Sequence, residues 1–209
     1  MDKLLTVEEA KARLFAGLEE ITGWKLQKSR NQLSRQAGDL VFQLNVCFDK
    51  ANQSEKSIRT EMDLQFWCKA YGKTGDVNSI VGDMSYRSGK NDWFDITTEE
   101  RLEAVLAELK GSLGETAVPL CERFAADYDA AVRSLTGEDL LKYRVWLRFI
   151  EDKLGREEAE KAAKAVYDRA PEPVKRQLAE FAATGKRGPW LRLDRNAKYM
   201  ADHGLIPTL

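Results

Sequence analysis

The sequence predicts an α+β fold, an antiparallel sheet of about five to six strands packed by an N-terminal helix and several C-terminal helices. Three observations predict it. Two long stretches, Asp39–Lys50 and Ile58–Tyr71, alternate apolar and polar residues with period 2, the pattern of strands with one dry face and one available face. A helical stripe precedes them. From Thr97 on the stripes are helical, and a run of strands followed by a run of helices is the order of an α+β chain with an antiparallel sheet.

The first helix opens on a capping box, Thr6 with Glu9 three residues later. Val7, Ala10, Leu14, Leu18 and Ile21 recur at helical spacing, and Gly23 stops the helix. Trp24–Lys28 and Gln32–Arg35 read as short strands that pair back through Arg30 and Asn31, and Ala37-Gly38-Asp39 reads as a turn. In the first long strand Leu40, Phe42, Leu44, Val46 and Phe48 share one face, with Gln43, Asn45 and Asp49 on the other. In the second, Ile58, Met62, Leu64, Phe66, Cys68 and Ala70 point one way, and Arg59, Glu61, Asp63, Gln65, Trp67 and Lys69 point the other. Ser79–Arg87 and Trp93–Ile96 are expected as later strands around a turn at Ser88–Asp92.

At Thr97 the period changes. Thr97 and Glu100 are expected to form a second capping box. Leu102, Val105, Leu106, Leu109 and Leu113 then make a stripe that ends near Gly114. Pro119 suits the first turn of the next helix, whose buried side is Leu120, Phe124, Tyr128, Ala131 and Leu135. Further helices are expected over Leu140–Leu154, over the alanine-rich Arg156–Ala170, and around Val174, Leu178 and Phe181. Pro189–Leu209 reads as a mixed tail. The division expected is an α+β core over residues 1–135 and a C-terminal helical extension over 136–209.

Composition narrows the function classes. The 209 residues are 43% hydrophobic and 32% charged, with a formal net charge of −1. No global field favours nucleic acid or an anionic membrane. Cys47, Cys68 and Cys121 are odd in number and lack metal-ligand spacing, as in a protein of a reducing compartment. The N-terminus lacks the apolar centre of a signal peptide and no stretch is long enough to span a bilayer, so a cytoplasmic address is expected.

The run GWKLQKSRNQLSRQAGDLVFQLNVCFDKAN, continued by IRTEMDLQFWCKAY, resembles a family of uncharacterised bacterial domains. So do NDWFDI, with the acidic helix start after it, and AVPLCERF. The likeness covers roughly residues 5–135. The chain departs from the family pattern at Leu33, where an aromatic is usual, and at Trp24, which replaces a phenylalanine. Some relatives of that family sit among polymorphic-toxin immunity proteins, so the resemblance implies a protein partner, a cognate toxin or effector.

Several constellations compete for the function. Glu61 and Asp63 share a strand face about 7 Å apart, with Asp39 and Asp49 expected near them, which suggests a metal-dependent hydrolase or nuclease. Such cores want an acid followed by Glu-x-Lys, and this strand has Glu-x-Asp-x-Gln. Cross-strand charge pairs on a solvated face explain the same acids. The Gly-Lys-Thr within Tyr71–Asp76 lacks the preceding glycine of a phosphate loop. The single histidine, His203, reads as a helix C-terminal residue. Lys25, Lys28, Arg30 and Arg35 with Trp24 form a local basic stretch, narrower than the footprint of a nucleic-acid binder. The expectation is therefore a non-enzymatic protein-binding module of immunity or antitoxin type, with no cofactor and no metal. Its partner would be bound through Arg59, Glu61, Asp63, Gln65, Trp67 and Lys69, with Trp67 as anchor.

Overall fold

In a computed structural model of the chain, residues 2–69, 84–86, 93–135, 145–186, 188 and 195–206 are described. They fall into two compact units, one within residues 1–70 and 83–126, the other within 71–82 and 127–209.

The first unit is the α+β part. Helix α1 (Val7–Thr22) opens on the predicted box: the Thr6 hydroxyl accepts from the Glu9 N–H at 3.2 Å, and the Thr6 N–H donates to the Glu9 carboxylate at 2.9 Å. Strand β1 (Lys25–Gln27) leads through a 3₁₀ turn at Lys28–Arg30 and a left-handed Asn31 into β2 (Gln32–Ala37). A two-residue turn then joins β2 to β3 (Leu40–Phe48), with Ala37 opposite Leu40. Gly38, the first residue of that turn, has φ +57°, the sign that tight hairpin turns require. Strand β4 (Arg59–Cys68) pairs antiparallel with β3 over nine residues, from Leu40 opposite Cys68 to Phe48 opposite Thr60. The far edge of β4 is shared by β5 (Met84–Tyr86), opposite Met62–Leu64, and β6 (Phe94–Asp95), opposite Arg59 and Thr60. The expected strands at Ser79–Arg87 and Trp93–Ile96 are shown only over these short runs, and the Gly-Lys-Thr stretch within Tyr71–Asp76 and the turn Ser88–Asp92 lie outside the described residues.

The dry face follows strand parity. Phe42, Leu44, Met62, Leu64 and Phe66 are fully buried. An aromatic chain runs through them: Trp24 lies 6.2 Å from Phe42, Phe42 meets Phe66 edge-on at 5.0 Å, and Phe66 meets Phe124 at 6.3 Å. Helix α2 (Glu99–Leu109) adds Leu102 and Leu109 to this core. Leu106, also expected there, is half-buried instead and lies over Gly17 of α1, where a Cβ would come within 2.6 Å of its side chain. Gly17 is therefore a position where the two helices meet too closely for a larger side chain.

Three expectations about the helices are corrected. The cap of α2 is Thr98, whose hydroxyl accepts from the Arg101 N–H, and not Thr97. The Thr97 hydroxyl is taken by Asp95 and by the Ile58 N–H at 3.0 Å, ties across the sheet that the spacing does not reveal. The helix does not end at Gly114. It continues through wide π-type turns over Lys110–Ala117 into α3 (Val118–Ala126), with the Val118 N–H reaching back to the Leu113 carbonyl. A widened turn just before Pro119 accommodates a ring that an α-helical turn excludes. The following helix is broken at Asp127, whose carboxylate caps α4 (Tyr128–Ser134) by accepting from the Ala130 N–H.

The second unit is helical among its described residues: α4, α5 (Leu147–Leu154), α6 (Arg156–Arg169), α7 (Glu172–Thr184) and α8 (Arg195–Asp202). Of the helix expected over Leu140–Leu154, residues 140–144 lie outside the described residues, and the described part starts only at Leu147, because Val145 is a bridge residue and Trp146 caps the helix in an extended conformation. Within the tail read as mixed stands α8, with His203 at its C-terminal end as expected, and α8 is held by contacts made elsewhere in the chain. Asn196 supplies one: its amide oxygen accepts from the Leu147 N–H at 2.9 Å and its nitrogen donates to the Val145 carbonyl at 2.8 Å. It thereby serves an N–H at the start of α5 that no helical carbonyl can reach.

Three outcomes follow. Leu44→Ala is expected to lower stability by about 2–5 kcal/mol in urea unfolding; a loss below about 1 kcal/mol would mean that the buried face is misassigned. Asn196→Ala is expected to lower stability of the second unit by about 1–3 kcal/mol, read by amide exchange of the α5 amides, because two backbone groups lose their partners. The third concerns acid. Hydrogen bonds from Thr6, then the charges of Lys3 and Arg13, hold the Glu9 carboxyl below its ordinary value, and the hydrogen bond from Arg13 does the same for Glu99. A depressed carboxylate stabilises the fold above its unfolded-state pKa and loses that contribution as pH falls through the folded value. Glu100 shifts upward beside Asp2 and acts in the opposite sense. Urea midpoints of α1, followed by amide resonances, are expected to fall from pH 5 to pH 3 in the native chain and to fall less in Glu99→Gln.

Candidate functional site: the polar face of the sheet

Burial alternates without exception along β4. Thr60, Met62, Leu64, Phe66 and Cys68 are buried, Glu61, Asp63, Gln65 and Trp67 are half-buried, and Arg59 is exposed. The five outward side chains therefore share the sheet's other face, as the pattern predicts. Lys69 lies just past the strand end. It is exposed, and its N–H donates to the Asp39 carbonyl at 2.8 Å. Trp67 is neither fully open nor covered: it is half-buried, with the buried Val41 directly opposite on β3.

Register supplies the rest of the face. Cys47 stands opposite Glu61, Asn45 opposite Asp63, and Gln43 opposite Gln65. On β2, Gln32 lies opposite Asn45, Ser34 opposite Gln43 and Gln36 opposite Val41; on β1, Gln27 lies opposite Gln32 and Lys25 opposite Ser34. With strands about 4.8 Å apart, a row Gln27–Gln32–Asn45–Asp63 crosses the sheet beside a row Lys25–Ser34–Gln43–Gln65. The amides hold one another: Gln43 donates to the Asn45 side chain at 2.6 Å, and Gln27 donates to Ser34 at 2.7 Å. The Asn52 side chain anchors the start of β4, bonding both the N–H and the carbonyl of Arg59 at 2.8 and 2.9 Å. These amides on β1 and β2 were not singled out in the sequence. Only the parity of β3 and β4 was legible there, because short strands give few periods to count.

Other sequence candidates are not gathered here. Asp39 and Asp49 flank the two ends of β3, and the residues opposite Glu61 and Asp63 are Cys47 and Asn45. The acids expected beside the Glu61–Asp63 pair are thus replaced by a thiol and an amide. Among the described residues no group of three or more His, Cys, Asp or Glu is placed to hold a metal ion. The basic stretch is divided as well. Lys25, Lys28 and Arg30 are exposed, whereas Arg35 has the parity of the dry face and pairs with Glu122 of α3. Trp24 is buried against Phe42 and cannot stack on a base. The thiols of Cys68 and Cys121 are buried, and burial pushes the Cys121 thiol far up, away from a reactive thiolate. Cys47 is exposed.

Among the described residues no helix is long and apolar enough to cross a membrane. Compared with known proteins, the chain matches no family model, and no curated protein or solved structure is significantly similar to it.

Proposed function

We propose that the protein is a non-enzymatic protein-binding module of immunity or antitoxin type, which neutralises a bacterial toxin by occluding it with the polar face of the sheet. The observation that carries this reading is the outward row of β4: Arg59, Glu61, Asp63, Gln65 and Trp67 on one rigid strand, none of them fully buried. Interfaces draw their energy from such tryptophans and arginines, and their specificity from the polar groups around them. Amides held in rows across β1–β3 keep the surface preorganised, so less ordering is lost on binding. These groups suit recognition, and the toxin's own active site would be covered rather than chemically altered.

The test is affinity for the product of a neighbouring toxin gene, measured with folded Trp67→Ala and Glu61→Lys variants. Truncation of Trp67 is expected to cost at least about 2 kcal/mol of binding. Unchanged affinity in both variants would move the interface off this face. Stoichiometric metal found by elemental analysis, and lost from a Glu61→Gln, Asp63→Asn double variant, would favour a metal-dependent hydrolase instead.

A further inference from the structure

The second unit carries a polar cluster that the proposed binding face does not use. It joins α5, α6 and α8 through Glu151, Arg156, Glu160, Tyr199 and His203. His203 is the single histidine of the chain. It sits at the C-terminal cap of α8, where the Gly204 N–H bonds the Ala201 carbonyl at 3.1 Å and the Leu205 N–H bonds the Met200 carbonyl at 2.8 Å, the paired closure of a Schellman motif. Its ring lies 4.2 Å from the ring of Tyr199, one helical turn earlier.

The two ring nitrogens meet different partners. Nδ1 is 2.7 Å from Arg156 Nη1, and Nε2 is 4.0 Å from a Glu151 carboxylate oxygen. A guanidinium only donates. Nδ1 must therefore accept, which requires a neutral ring with its hydrogen on Nε2, facing Glu151. Arg156 is oriented for this by Glu160 at 2.6 Å and by Glu151 at 3.7 Å. Tyr199 shares the Glu151 carboxylate with the His203 ring. Burial, then the charge of Glu151, push the Tyr199 phenol up to about 12, so it stays neutral. Lys198 and Asp202 of α8 pair with each other at 2.5 Å.

We infer that His203 is a pH-sensitive latch of the second unit. Neutral, it accepts from Arg156 and ties the cap of α8 to the first turn of α6. When a solvent proton adds to Nδ1, both ring nitrogens are donors, the Arg156 contact is lost, and the ring keeps Glu151 alone. Imidazole is the side chain whose charge changes between pH 5 and 8.

Nitrogen-15 spectra of the full chain test the first half directly, since one histidine gives one set of ring signals. The hydrogen is expected on Nε2 at pH 8; a hydrogen on Nδ1 would overturn the latch. Amide exchange, corrected for its intrinsic pH dependence, tests the second half. Protection of residues 199–205 is expected to drop severalfold between pH 8 and pH 5. In His203→Gln, which keeps an acceptor for Arg156 but takes no charge, protection is expected to be flat with pH. An identical pH profile in the native chain and in His203→Gln would overturn it.

Discussion

The pairing of β3 with β4 is the constraint on which the first unit depends. Nine residues of each strand are in register, and because side chains alternate across a sheet, that register assigns every one of them to a face at once. Leu44 opposite Leu64 and Phe42 opposite Phe66 build the core, while Gln43 opposite Gln65 and Asn45 opposite Asp63 build the polar surface. A slip of one residue would exchange the two. The aromatic chain Trp24, Phe42, Phe66, Phe124 then locks helices from both flanks of the sheet onto the same side.

The polar surface inherits its rigidity from this arrangement. The side chains of β4 stand on a strand whose back is buried throughout, so they cannot shift without disturbing the core. Asn52 pins the first residue of β4 through both backbone groups. The N-terminal segment adds a further tie: the Leu5 N–H bonds the Thr97 carbonyl at 3.0 Å, and the Leu5 carbonyl accepts from Glu55 at 2.9 Å. Buried Leu5 thus connects the start of the chain, the loop before β4 and the approach to α2. A surface preorganised in this way suits recognition, since it offers amides, carboxylates and one indole on strands held in register.

The second unit relies on different bonds. Helix α6 is alanine-rich at its buried side, with Ala159 and Ala163 fully buried, which lets helices approach closely, and Leu147, Ile150 and Met200 of the neighbouring helices fill the apolar core. Side-chain bonds between distant segments are added to that core, through Asn196 to the start of α5 and through His203 to Arg156. Such bonds respond to protonation in a way that a purely apolar interface does not.

Local pattern alone determined much of this protein. The α+β class, the box at Thr6 and Glu9, the faces of β3 and β4, and the helix over Arg156–Arg169 all follow from periodicity and capping chemistry within one element. All the outward residues of β4 named as candidates were legible for the same reason, since parity needs only one strand. Tertiary structure decided the rest. The capping role passed from Thr97 to Thr98 because Ile58, thirty-nine residues away, claims the Thr97 hydroxyl. The helix ran past Gly114 because wide turns absorb Pro119, and α8 is tied to the start of α5 because Asn196 found backbone partners there. The amide rows beside Glu61 and Asp63 came from register between strands. Each of these depends on groups far apart in sequence meeting in space, a pairing that no spacing along the chain encodes.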